Sequence, residues 1–225
     1  KKRTSNGLIM AADGSKMSKS RGNTVPSSDV VARSGADACR MAILYLGPWE
    51  QSANWSEDTL RGVERFLKRV ESLSDNLTDD TLTAEQERLV HRLIADMTER
   101  LDGMKFNTAI SAMMEYINAF SGGMPRPAYE TLIRVLNPFA PHLTEEMWEK
   151  LGHSEMLVFQ PWPTFDAAKL VKTDMTIVVS INGKRSADFT ISADADEPTI
   201  IATARDVVSN KLSGAEIIKT VVVPN

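Results

Sequence analysis

The sequence has one cysteine, Cys39, three histidines (His91, His142 and His153), and no apolar run long enough to span a bilayer. A single thiol excludes a disulfide framework, and no Cys/His cluster has metal-ligand spacing. Without roughly 18 consecutive apolar residues there is no transmembrane helix, and no signal peptide opens the chain. Together these absences predict a cytoplasmic protein with no membrane partner and no protein-held metal. A large excess of one charge is missing too. The net charge is −4, which argues against a whole surface built to wrap nucleic acid.

What is present is an ordinary globular composition, 42% hydrophobic and 25% charged over 225 residues. That length accommodates one or two domains with real cores. The charge is unevenly spread. Residues 1–30 hold Lys1, Lys2, Arg3, Lys16, Lys19 and Arg21 against Asp13 and Asp29, a balance of +4 that leaves −8 for the remainder. Those thirty residues lack a long apolar stretch and are a poor start for a self-contained fold. They read either as a disordered basic tail or as a piece of a larger protein.

Along the chain, Leu8-Ile9-Met10 reads as a short extended segment closed by the turn signal Asp13-Gly14. A small basic loop, 16–23, leads to a helical pattern over about 29–46, stopped by Gly47-Pro48. Ser56 is placed to cap a helix on which Leu60, Val63, Phe66, Leu67, Val70 and Leu73 recur at three- and four-residue steps. Thr83 with Gln86 forms a capping box for the next, which runs to a break near Gly103. Further helices are expected over about 108–120, ended by Gly122-Gly123, from about 127, and around 145–151. Short connections between such helices imply an antiparallel bundle over about 30–152, with the methionines as core filler.

After Pro161-Trp162-Pro163 the period changes. Residues 175–181 form a strand, Asn182-Gly183 signals a hairpin, and 184–191 alternates as its partner. A helix over 197–212, ended by Gly214, and a third strand over 217–223 complete a ββαβ unit behind a linker near 163–174. The expected class is α+β: a mainly α-helical antiparallel bundle followed by a small ββαβ domain, with an N-terminal basic loop segment. The divisions fall at 1–54, 55–162 and 163–225.

Lys16-Met17-Ser18-Lys19-Ser20 concentrates two ammonium groups and two hydroxyls, followed by Arg21 and Gly22. Such a loop can close over a polyphosphate and neutralise the charge that develops as pyrophosphate leaves. By composition alone, a solvated basic loop is the plainer reading. The identity of the residues changes this, because the pentapeptide is the signature of class I aminoacyl-tRNA synthetases. Its extension through Arg21-Gly22-Asn23 resembles the enzymes for large aliphatic amino acids and methionine. Gly35-Ala36-Asp37-Ala38-Cys39-Arg40 is similar to the family's helix after that loop. Trp55, the run 62–70, Phe106-Asn107-Thr108-Ala109-Ile110 and the run from Pro138 to Trp148 resemble the anticodon-binding-type bundle of leucyl-tRNA synthetases. Trp162-Pro163, Val178 to Lys184 and Val223-Pro224 resemble the small C-terminal domain of the bacterial leucyl enzymes.

The resemblance implies a C-terminal portion of a leucyl-tRNA synthetase, a ligase that activates leucine with ATP, accompanied by Mg2+, and charges leucine tRNA. Lys19 then approaches the leaving phosphates as the catalytic lysine and Lys16 assists. Met17, Ser18 and Ser20 complete the ATP-contacting loop. No His-Ile-Gly-His-type motif and no nucleotide fold is present. The chain is therefore expected to need a separate catalytic domain as partner and to be inactive alone. A synthetase for valine, isoleucine or methionine remains an alternative, as does a non-catalytic tRNA-binding module or split subunit.

Arg65 and Arg69 are implied contacts to the tRNA backbone, which would supply affinity and register rather than sequence reading. Lys68, beside them, reads equally as solvated charge. Lys184 and Arg185 are the corresponding residues of the tail domain. Trp55 reads as a packing anchor, His142 as a buried hydrogen-bonded histidine, Asp37 as a partner of Arg40, and Cys39 as inert.

Overall fold

The computed structural model describes residues 5–120, 123–171, 174–192, 195–212 and 217–222, and most of them are helical for reasons visible in the sequence. Lys1, Lys2, Arg3, Gly122, Gly214, Val223 and Pro224 lie outside the described residues. Two compact units result, residues 1–170 and 171–225. The class is α+β, mainly helical with small sheets.

In the first unit the helices are α1 (Ser27–Ser34), α2 (Ala36–Tyr45), α3 (Glu57–Leu73), α4 (Ala84–Asp102), α5 (Phe106–Asn118), α6 (Arg126–Leu136) and α7 (Pro141–Lys150). Two short parallel pairings tie loops together: β1 (Ile9–Met10) with β2 (Ala53–Asn54), and β3 (Leu77–Thr78) with β4 (Met124–Pro125). Capping explains the helix starts. Ser56 accepts the Thr59 amide at 3.1 Å, and the Thr83/Gln86 box closes in both directions, at 3.2 and 2.9 Å. The single helix expected over 29–46 is broken into α1 and α2. Gly35 sits between them at φ 86° and ψ 161°, a backbone region open essentially to glycine alone.

The apolar stripes meet in one core. Leu60, Val63, Phe66 and Val70 of α3 are buried there with Leu93, Ile94 and Met97 of α4 and Leu132, Ile133 and Leu136 of α6. Each such side chain contributes roughly 1.5–3 kcal/mol by leaving water. Met41, Met97, Met113 and Met124 are fully buried, filling gaps between the branched residues. Buried polar groups find partners. Tyr129 donates its hydroxyl to the Val70 carbonyl at 2.9 Å and Tyr116 to the Ala128 carbonyl at 3.1 Å. Burial pushes both phenols up, so they remain neutral donors.

Residues 161–170 run back along α4. Trp162 Nε1 donates to Thr98 Oγ1 at 2.9 Å, the Asp166 amide to His91 Nδ1 at 3.0 Å, and Lys169 pairs with Glu87. The start of the expected linker is thus attached to the helical unit.

In the second unit, β5 (Asp174–Ile181) and β6 (Lys184–Ser192) form an antiparallel hairpin. Its turn is Asn182-Gly183, with φ 51° and 78°, the twist-compatible geometry that Asn-Gly favours. Ile177 pairs with Phe189 and Met175 with Ile191 on one face. A bulge interrupts the register after Val179: Val179 faces Ala187 and Ser180 faces Arg185, so Ser186 is the extra residue. Helix α8 (Glu197–Val207) is capped by Asp196, which accepts the Thr199 amide at 3.0 Å. The Thr199 hydroxyl and amide hold this carboxyl below the usual carboxylate value. The cap is therefore complete at neutral pH and is lost as pH falls through that lowered value. A one-turn helix, α9 (Ser209–Leu212), follows.

The third strand expected over 217–223 is a correction: residues 217–222 carry no strand. Ile218 is 96% exposed and Val221 65%. β-branched residues favour a strand only where a neighbouring ladder accepts their backbone, and nothing among the described residues pairs with this run.

Candidate functional site

One side chain closes the base of the basic loop. Asn23 Oδ1 accepts the Ser18 amide at 2.8 Å, while its Nδ2 donates to Ser15 Oγ at 2.8 Å and to the Lys16 carbonyl at 3.3 Å. Ser15 donates its hydroxyl to Asp13 Oδ1 at 2.7 Å, and the same oxygen accepts the Ser15 amide at 2.9 Å. These bonds, the amide's first, hold the Asp13 carboxyl below its ordinary value, so it is ionised at neutral pH. A carboxylate only accepts. The Ser15 proton therefore points to Asp13, its lone pair faces Asn23, and the orientation of the Asn23 amide follows. An antiparallel bridge between Met10 and Lys16 joins the loop to β1.

Beyond this base, Lys19–Arg21 make one tight helical turn, and the Gly22 amide reaches back to the Lys19 carbonyl at 3.2 Å. The Ser18 and Ser20 hydroxyls bond each other at 2.7 Å. Met17 is half-buried against the core, which makes it an anchor for the loop. Lys16, Lys19, Ser20 and Arg21 are exposed. Neither lysine ammonium has a hydrogen bond or ion pair among the described residues. Two uncommitted point charges on a pinned base suit capture of a polyanion.

Helix α2 packs against α3, α5 and α7. Helix α7 starts at Pro141 behind Ala140, which has no side chain able to cap it. Asp37 does so from α2: its Oδ2 accepts the Leu143 amide at 2.8 Å and its Oδ1 bonds His142 Nδ1 at 2.8 Å. A carboxylate at this end also opposes the positive pole of α7. Arg40, the expected partner of Asp37, instead donates to the Pro138 carbonyl at 3.1 Å. His142 is hydrogen-bonded but its side chain is 74% exposed rather than buried, because it opens the helix on the solvent side. Cys39 is buried, and burial raises its thiol pKa, which leaves it unreactive.

Arg65 and Lys68 lie exposed on α3, and their side chains have no hydrogen-bond or ion-pair partner among the described residues. Arg69 is engaged: it bonds Asn118 Oδ1 and the Ile117 carbonyl, the latter at 3.3 Å, at the C-terminal end of α5. Trp55 is buried and donates Nε1 to Glu57 at 2.8 Å, a packing role. In the second unit Lys184 is exposed, and Arg185 pairs with Asp188 at 3.0 Å across two exposed side chains, a contact worth little in water. Sequence reasoning did not single out Asn23 as the loop's brace or Asp37 as a cap for α7. An asparagine in a polar loop is commonplace, and Asp37 is 106 residues from Leu143, so no local pattern marks either. Among the described residues, no group of three His, Cys, Asp or Glu side chains could hold a metal ion, and no helix is long and apolar enough to cross a membrane.

The family model described as tRNA synthetases class I (I, L, M and V) matches residues 1–56, which contain the loop. The model described as the anticodon-binding domain of tRNA ligase matches 125–201, from the end of β4 into α8. A leucine–tRNA ligase of Chlorobium phaeobacteroides (strain BS1) is 40% identical over 97% of this chain and 28% of its own length. Another, from Leptospira biflexa serovar Patoc, is 38% identical over 94% of this chain and 25% of its own. The chain is similar to leucine–tRNA ligases over nearly its whole length. Among solved structures, the ternary complex of Agrobacterium radiobacter K84 agnB2 LeuRS with tRNA and LeuAMS aligns at a TM-score of 0.72 and 28% identity. That alignment covers 97% of this chain and 32% of that one. The chain thus spans about a quarter of the length of the curated leucine–tRNA ligases it matches.

Proposed function

We propose that this chain supplies the ATP-closing loop and the tRNA-binding surfaces of a cytoplasmic leucine–tRNA ligase. Residues 1–54 are the end of the catalytic domain, 55–170 the anticodon-binding-type bundle with the segment that runs back along α4, and 171–225 a small tRNA-binding domain. The observation that carries the reading is the pinned loop with two uncommitted ammonium groups, within a segment matched by the class I synthetase family model. In leucine activation a carboxylate oxygen of leucine bonds to the α-phosphorus of ATP and the bond to the pyrophosphate oxygen breaks. Lys19, assisted by Lys16, neutralises the charge that gathers on the departing pyrophosphate. Met17 and Ser18 shape the nucleotide contact, and Ser20 steadies Ser18. Mg2+ belongs with the ATP. No acidic cluster among the described residues fits it.

The test is leucine-dependent ATP–pyrophosphate exchange by a relative whose matching segment is replaced with these 225 residues. Exchange is expected, and a folded hybrid without it would overturn the reading.

For tRNA, Arg65 is free among the described residues, as Lys68 is, whereas Arg69 is committed to α5, so of the two arginines Arg65 carries the larger share of phosphate contact. Arg65→Ala is expected to weaken binding of leucine tRNA and to lower the salt slope of log K by about one. A binding titration over a range of salt concentrations reads both. An unchanged slope would remove Arg65 from the interface.

A further inference from the structure

The signature loop is held by a side chain outside its five residues. We propose that Asn23 is a positioning residue of the loop, whose amide brackets residues 15–18 and so fixes the backbone that carries Lys16 and the base on which the turn bearing Lys19 stands. This rests on the reading of the loop as the phosphate-neutralising element, and adds what makes it effective.

The argument is one of donor and acceptor balance. The amide supplies one acceptor and two donors, and all three are used: Ser18 amide, Ser15 Oγ and Lys16 carbonyl. The partners lie on both sides of Met17, which is anchored against the core. A chain segment tied at 15, 16 and 18 has little freedom left, so the mobile part shrinks to the single turn Lys19–Arg21. Lysines on four-carbon stems are useful for transition-state electrostatics only if their backbone origin is fixed, because preorganised charge costs no reorganisation at the moment of reaction. Only a primary amide supplies one acceptor and two donors in this way, and glutamine would carry it one methylene farther out. An aspartate at 23 would keep the bond to the Ser18 amide. It would lose the donor to the Lys16 carbonyl and would compete with Asp13 for the one hydroxyl proton of Ser15.

Trypsin cuts after Lys16, Lys19 and Arg21 only when the segment opens, so cleavage of the 225-residue chain reads the bracket without any nucleotide. Asn23→Ala is expected to speed cleavage at these bonds by about tenfold, with rates at the remaining sites unchanged. Asn23→Asp is expected to fall between it and the parent. Unchanged cleavage in Asn23→Ala would overturn the bracket, and parent-like cleavage in Asn23→Asp would overturn the requirement for the amide. In the hybrid ligase, Asn23→Ala is expected to lower kcat for exchange about tenfold while KM for leucine stays put. Faster cleavage with kcat unchanged would overturn the positioning role. The reading of the loop as the phosphate element would fail separately, on Lys19→Ala with undiminished exchange.

Discussion

Lys19→Ala is expected to slow leucine-dependent pyrophosphate exchange by about two to three powers of ten, the usual cost of removing one electrostatic contact to a developing oxyanion. The size of the effect follows from where the ammonium stands. It is exposed, at the tip of a loop whose base is tied by Asn23, and it has no protein partner among the described residues. Removing it therefore orphans no buried group, and the melting temperature and leucine tRNA affinity are expected to stay at the parent values. Lys19→Arg is expected to recover only a small part of the rate, because a planar guanidinium presents its charge differently from a compact ammonium. Lys16→Ala is expected to show the same pattern with a smaller loss. Exchange kinetics on the hybrid ligase, beside a tRNA titration, distinguish these outcomes. Loss of tRNA binding in Lys19→Ala would place the lysine elsewhere.

Asp37→Ala is expected to destabilise the helical unit by about 1.5–3 kcal/mol, the range for a hydrogen bond to a charged group. Two losses combine. The Leu143 amide, one of the orphan donors at the start of α7, is left without its acceptor. The negative charge opposing the positive end of that helix also goes. Asp37→Asn keeps an acceptor and is expected to cost roughly half as much. His142→Ala is expected to cost little, since that side chain is largely exposed. Urea unfolding of the chain checks the series. The midpoint should fall in the order given with the slope unchanged. A midpoint for Asp37→Ala equal to that of the parent would mean that water replaces the cap.

How much of this was legible beforehand depended on the range of the interaction. Helices α3 and α4 were readable because their caps and apolar stripes are local: Ser56 with Thr59, Thr83 with Gln86. The hairpin was readable because Asn-Gly favours one turn geometry. The break at Gly35 was missed since a glycine within a helical pattern is often tolerated, and only its φ reveals the corner. The run from 217 misled because strand propensity was counted without a partner strand. At the loop, the residue identities pointed to Lys16 and Lys19 through family resemblance. The braces were hidden. Asn23 looked like an ordinary loop residue, and Asp37 acts across 105 and 106 residues on His142 and Leu143. Arg69 looked as available as Arg65, and only the packed structure reveals that it caps the end of α5.

The extra residue in β6 has a consequence of parity. Side chains of a strand alternate in strict twos, and Ala187, Phe189 and Ile191 occupy the half-buried face of the hairpin. Counted back from them without interruption, Arg185 would be odd with the odd and would point into that apolar face. The insertion of Ser186 changes the count by one, setting Arg185 opposite Ser180 on the other side. One serine thus decides whether this arginine is a buried liability or a cation offered to solvent.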